Sequence, residues 1–138
     1  MFDQCLYFNT TSLSRLLERE WTTAFRPFEL SPPQAFLLRT VLAQPGLLQR
    51  ELADMMTIAR PTATRLLDGL QEKGFIERRD SANDGREWEI HPTKQARAIE
   101  AGLNEASGAV TKRLKKHLGA DVFAGVVGQL REVRNALG

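Results

Sequence analysis

The stretch that decides the fold runs Ala59-Arg60-Pro61-Thr62-Ala63-Thr64-Arg65-Leu66-Leu67-Asp68-Gly69-Leu70-Gln71-Glu72-Lys73-Gly74-Phe75-Ile76-Glu77-Arg78-Arg79. At 100° per residue Ala59, Ala63, Leu66, Leu67 and Leu70 share one face, which predicts an amphipathic helix from Arg60 to Lys73 packed on a core. Gly74 suits the left-handed position that closes such a helix. The period then changes to two: Phe75–Arg79 alternates as a strand does, and Glu87–His91 alternates in the same way. Between them Ser81-Ala82-Asn83-Asp84-Gly85 is dense in turn residues, so the pair reads as a β-hairpin.

Upstream, Ser31-Pro32-Pro33-Gln34 is a helix start, with Ser31 as N-cap, Pro32 at the first helical position and Gln34 completing a capping box. That helix ends at Gln44-Pro45-Gly46, and a short one follows from Gln49 to Met55. Residues 31–92 thus read helix, helix, helix, hairpin, which is a winged helix-turn-helix. Before them, Leu6, Leu13, Leu16, Leu17, Trp21, Ala24 and Phe25 form the stripe of a long helix that Arg26-Pro27 ends. After them, Thr93 caps a helix carrying Ile99, Leu103, Ala106, Val110 and Leu114, and Gly119 separates it from a last helix with Phe123, Val126, Val127, Leu130, Val133 and Leu137. The expected fold is mainly α with a small β-hairpin wing. Its winged helix-turn-helix core (31–92) is flanked by N-terminal (1–30) and C-terminal (93–138) dimerisation helices, because flanks this apolar call for a second subunit.

Composition bounds the function. The 138 residues have a formal net charge of +2, with 42% hydrophobic and 26% charged residues, an ordinary globular balance. Residues 31–92 hold 8 basic against 9 acidic groups, so their total charge says nothing for DNA; placement does. No run approaches the roughly 20 apolar residues of a membrane helix, and Met-Phe-Asp-Gln lacks the basic start of a secretory signal, so the expectation is a cytoplasmic protein. One cysteine and two histidines, His91 and His117, without ligand spacing predict no metal site and no cofactor. No nucleophile–base pair or phosphate loop points to an enzyme.

The outward face of the Arg60–Lys73 helix carries Arg60, Pro61, Thr62, Thr64 and Arg65 in its first turns, and acids only at Asp68 and Glu72. That gradient suits a helix whose N-terminal half enters a DNA major groove, where Arg reads guanine and Thr touches bases or phosphates. On the hairpin, Arg78, Arg79, Asp84 and Arg86 are the candidate wing contacts; an arginine at a wing tip suits the narrow minor groove, and Asp84 can brace Arg86. Trp21, Phe25, Phe28 and Phe36 are candidates for an effector pocket where the flanking helices meet the reader, although aromatics at this spacing also build cores. Cys5 is a candidate redox thiol, but with Leu6, Tyr7 and Phe8 beside it, burial as a small core residue is expected instead. The densest basic run, Lys112 to His117, reads as a solvated helix end.

Together Leu30-Ser31-Pro32-Pro33-Gln34, Glu51-Leu52-Ala53, the Arg60–Arg79 segment, the wing Asp84-Gly85-Arg86 and Thr93 resemble the MarR family of bacterial transcriptional regulators over nearly the whole chain. The resemblance implies a homodimer on pseudo-palindromic promoter DNA, with Arg86 in the minor groove, the Arg60–Arg65 region in the major groove, and release by a small aromatic or anionic effector or by oxidants. Ala59 and Leu48 depart from the polar caps common at these positions, and Ala96 stands where glycine is frequent. Two alternatives stay open: a winged-helix module for protein contact without DNA, and a thiol-based hydroperoxide sensor acting through Cys5.

Overall fold

The computed structural model describes residues 1–81 and 87–138. Helix α1 (Leu6–Phe25) passes into a 3-10 turn (Arg26–Phe28) where Pro27 interrupts it. Then come α2 (Pro32–Ala43), β1 (Leu47–Leu48), α3 (Gln49–Met56), α4 (Arg60–Glu72), β2 (Ile76–Asp80), β3 (Trp88–Pro92), α5 (Lys94–Leu118) and α6 (Ala120–Leu137). Among the described residues no helix is long and apolar enough to cross a membrane.

The local signals act as their chemistry dictates. Ser31 Oγ accepts from the Gln34 backbone N–H at 3.3 Å, and Gln34 Oε1 accepts from the Ser31 N–H at 3.1 Å, a complete capping box. Gly74 closes α4 at φ +84°. There a Cβ would also meet Gln95 Oε1, the end of a side chain that can move aside, so the positive φ is what calls for glycine. Thr93 Oγ1 accepts from the Ala96 N–H at 3.2 Å and donates to the Gly74 carbonyl at 2.6 Å, tying the start of α5 to the end of α4. At α3 the apolar Leu48 offers no side-chain acceptor, but Glu51 Oε1 accepts the Leu48 N–H at 2.9 Å and supplies half a box from inside the helix.

The expected hairpin is one side of a three-stranded antiparallel sheet ordered β1-β3-β2. Leu47 pairs with Ile90 and Leu48 with Glu89, while Arg78 lies opposite Ile90 and Arg79 opposite Glu89. Both hairpin strands start one residue later than the alternation suggested. A two-residue strand cannot display a period, which is why β1 escaped the sequence reading.

The core lies between α2, α4, the sheet and the middle of α5, with Phe25, Leu37, Leu38, Leu52, Leu67, Leu70, Ile90 and Leu103 all fully buried. Ala63, Leu67 and Leu70 form the buried face of α4, but Ala59 is exposed, because as N-cap it lies outside the helix and off its stripe. Cys5 corrects another expectation. It is exposed, not in the core, since the first ten residues run out beyond the packed region.

The flanks end differently. α5 packs its stripe on α1 and α2, with Leu103 and Val110 buried. α6 buries no residue at all. Its Val122, Val126, Leu130, Val133 and Leu137 fall within about 80° of arc at 100° per residue, and all five are exposed. Leu6, Leu13 and Leu16 of α1 are exposed as well.

Candidate nucleic-acid interface

Helix α3, a turn and helix α4 form the helix-turn-helix. Thr57 ends α3 in the left-handed conformation at φ +55°, its N–H bonded back to Asp54. Leu52 and Ala53 of α3 are buried, and α4 is held on its other side by β2. That leaves one long side of α4 outward. On it Arg60, Pro61 and Arg65 are exposed, and Thr62 and Thr64 half-buried.

Each of these side chains has a definite setting. Thr64 Oγ1 donates to the Arg60 carbonyl at 3.0 Å and accepts from Gln49 Nε2 at 2.7 Å, which locks the first turn of α3 to the outer face of α4. Arg65 Nη2 donates to Thr62 Oγ1 at 3.4 Å along the same face. No side chain caps α4, because Ala59 has no acceptor, and Pro61 lacks an N–H. The N–H groups of that turn therefore point toward whatever anion approaches the helix end.

Arg78 corrects an expectation. As a wing contact it should be open to solvent, yet only 14% of its side chain is exposed. Its Nη2 lies 2.8 Å from Asp68 Oδ1 and its Nη1 donates to Gln71 Oε1. Arg78 therefore clamps β2 to the last turns of α4, and its register opposite Ile90 places it over the sheet next to that helix. Arg79, one residue on and facing away, is exposed and pairs with Glu77. The candidates Asp84 and Arg86 lie outside the described residues.

The four aromatics divide. Trp21 and Phe36 line an open, mainly apolar groove of about 550 Å³ with Leu13, Leu17, Met56, Ile58 and Leu130 of α6, and Glu18 stands at it as well. Phe25 is fully buried beneath them, edge-on to Phe36 at 5.8 Å, so it belongs to the core and not to a pocket. Phe28 sits against α5 near Gly102, where a Cβ would come within 3.1 Å of its ring. Beside the groove stands Arg39, which the sequence reading did not single out. Its Nε donates to Asn104 Oδ1 at 2.8 Å, its Nη1 to Ser107 Oγ at 3.0 Å, and its guanidinium lies 5.0 Å from the Phe36 ring centre. Trp21 Nε1 donates to the same Ser107 Oγ at 3.0 Å. Among the described residues no carboxylate pairs with Arg39, and burial lowers its pKa from the usual arginine value. A single arginine within the apolar run Phe36-Leu37-Leu38-Arg39-Thr40-Val41-Leu42 was the available signal.

Cys5 caps α1 through its backbone, its carbonyl accepting from Asn9 Nδ2 at 2.8 Å. His91 Nε2 lies 3.1 Å from Glu89 Oε1 along β3. Among the described residues no group of three or more His, Cys, Asp or Glu side chains could hold a metal ion.

A capped three-helix core, an outward-facing second helix in the helix-turn-helix and an adjoining antiparallel sheet define a winged helix-turn-helix protein. Residues 30–88 match the model of the MarR family, whose regulators are non-enzymatic DNA-binding transcription factors. An HTH-type transcriptional regulator of Bacillus subtilis (strain 168), YybA, is 25% identical over 87 residues, which span 63% of this chain and 58% of that protein. Among solved structures, the transcriptional repressor CouR bound to a 23-mer DNA duplex is 25% identical with a TM-score of 0.89, covering 96% of this chain and 94% of CouR. A mutant MarR from E. coli complexed with operator DNA shares the fold at a TM-score of 0.85 and 23% identity, over 96% of this chain and 97% of that one.

Proposed function

We propose that this protein is a cytoplasmic homodimeric transcriptional repressor that binds pseudo-palindromic promoter DNA and is released by a small aromatic anion. The observation that carries the DNA reading is the outer face of α4. Arg60 and Arg65 stand exposed beside Thr62 and Thr64 on a helix whose first turn has no side-chain cap. Arginine forks match guanine edges, and an uncapped N-terminus accepts a phosphate. The likeness to a repressor seen on a DNA duplex supports the same reading.

The homodimer is supported by the uncovered stripes on α1 and α6, which a second copy would bury. Two α4 helices in one dimer would then meet successive major grooves about 34 Å apart. The effector reading is supported by Arg39, a cation with uncharged hydrogen-bond partners whose guanidinium lies on the ring of Phe36, which itself lines the apolar groove. Exposed Cys5 precedes α1 and is not among the residues that line the groove, so the thiol-sensor alternative gains no cationic partner from it.

The test is fluorescence anisotropy on a labelled random duplex of about 25 base pairs at low salt, the regime in which phosphate contacts dominate. Wild-type protein is expected to bind with an affinity that falls steeply with salt. Arg60→Ala should weaken binding and lower the salt slope by about 0.9 for each phosphate it no longer neutralises. Binding that is absent, or independent of salt, would refute the DNA reading in favour of a protein-contact module.

A further inference from the structure

Arg50, at the second position of α3, is held by an acid of this same chain. Its Nε lies 2.6 Å from Oε1 of Glu87, the residue just before β3. The pair spans the gap between the helix-turn-helix and the sheet, in a small cleft of about 170 Å³ lined by Gln49, Arg50, Arg60, Glu87 and Trp88. Arg60 opens α4, so the Glu87 carboxylate sits where the first turns of both helices present their cations. About half of the Arg50 side chain remains exposed. It is thus positioned to meet an incoming anion.

We propose that Glu87 is a built-in competitor for the DNA backbone, holding Arg50 in a pair that a phosphate must displace. The proposal rests on the DNA reading above and adds a residue to it. A guanidinium grips phosphate most firmly with two parallel N–H donors, and the side-on fork includes Nε. With Nε given to Glu87, that fork is closed. Because phosphate contacts carry no sequence information, Glu87 sets how tightly the protein holds any duplex and leaves base preference unchanged. A regulator that must let go of its site gains from such a limit.

Glu87→Gln removes the charge while keeping size and an acceptor oxygen. Its affinity for a labelled random duplex would be followed by anisotropy across roughly 50–200 mM KCl. E87Q is expected to bind about three- to tenfold more tightly at the low end, with a salt slope steeper by about 0.9 for each Arg50 released. Arg50→Gln alone leaves Glu87 an uncompensated carboxylate and should bind no more tightly than wild type, and the R50Q/E87Q double variant should lose the gain of E87Q. Affinity within twofold of wild type, or weaker binding with an unchanged melting curve, would overturn the proposal. So would a double variant that keeps the gain, since the effect would then not pass through Arg50. If wild-type protein itself fails to bind in a salt-dependent way, the DNA reading fails first; if it binds and E87Q does not differ, the competitor role alone falls.

Discussion

Replacing Val126 by glutamate probes the assembly where one chain is least able to satisfy itself. Val126 lies at the middle of the α6 stripe and is 40% exposed. Full burial of a valine or leucine side chain is worth about 1.5–3 kcal/mol, so the part of Val126 still to be covered is worth about 0.6–1.2 kcal/mol. A two-fold interface counts each residue twice, bringing the forfeited burial to about 1–2.5 kcal/mol. The larger effect is the carboxylate, whose removal from water costs several kcal/mol per ion where no partner awaits it. A total of at least about 5 kcal/mol weakens the dimer by more than three powers of ten, at 1.4 kcal/mol for each tenfold step. A nanomolar dimer would become a micromolar one. Gel filtration with light scattering at about 0.1 µM, between the two dissociation constants, should then report the 15.5 kDa chain for V126E and twice that mass for wild type. Ala124 provides the control, since it is exposed and about 160° round the helix from Val126. Ala124→Glu should leave the dimer intact. A V126E protein that stays dimeric, or an A124E protein that dissociates equally, would refute the assignment of this stripe to the interface.

Two further outcomes separate core from site. Phe25→Ala should cost about 3–5 kcal/mol in urea unfolding at fixed protein concentration, and Phe36→Ala clearly less, because Phe25 is fully enclosed while about a third of Phe36 is already in contact with solvent; equal losses would show that Phe36 is as much core as Phe25. Arg78→Ala should cost about 1–2 kcal/mol of stability, a value kept modest by the solvent around Asp68, while leaving the salt slope of DNA binding unchanged; a lower slope with no loss of stability would return Arg78 to the DNA contacts.

What the sequence displayed clearly was whatever depends on neighbours in the chain. The Ser31 box, the Gly74 cap, the Thr93 cap and the stripes of α4 and α5 involve residues within a turn or two of each other, so their spacing carries the signal. The misreadings share the opposite property. Phe25 and Phe36 both sit on amphipathic helices, and only the packing of α1 against α2 shows which is enclosed. Arg78 and Arg79 are adjacent in a strand and face opposite ways, but which one meets α4 depends on how helix and sheet dock. The Arg50–Glu87 pair and the Arg39 cluster each join elements far apart in the chain. No local pattern encodes either one.

Those long-range contacts give the proposed release a physical route. Ser107 of α5 accepts hydrogen bonds from Trp21 of α1 and from Arg39 of α2, so one hydroxyl links both long flanking helices to the first helix of the reader. The groove beside it continues from Trp21 and Phe36 to Met56 and Ile58, at the end of α3 and in the turn that leads into α4. An anion that draws Arg39 away from Ser107 and Asn104 removes one polar tie between α2 and α5, leaving the Arg97 Nη1–Leu42 carbonyl bond, while its ring presses on the side chains that seat α4. The distance between the two α4 helices of a dimer would then change, because Arg39 holds α2 to α5 there through hydrogen bonds to uncharged partners and not through a closed ion pair. Ser107→Ala tests this step. It removes the acceptor that Arg39 and Trp21 share, leaves the Arg39–Asn104 bond and does not touch α4, so the protein should keep its salt slope on DNA while needing a lower concentration of an aromatic carboxylate for release. An unchanged concentration for release would place the coupling elsewhere.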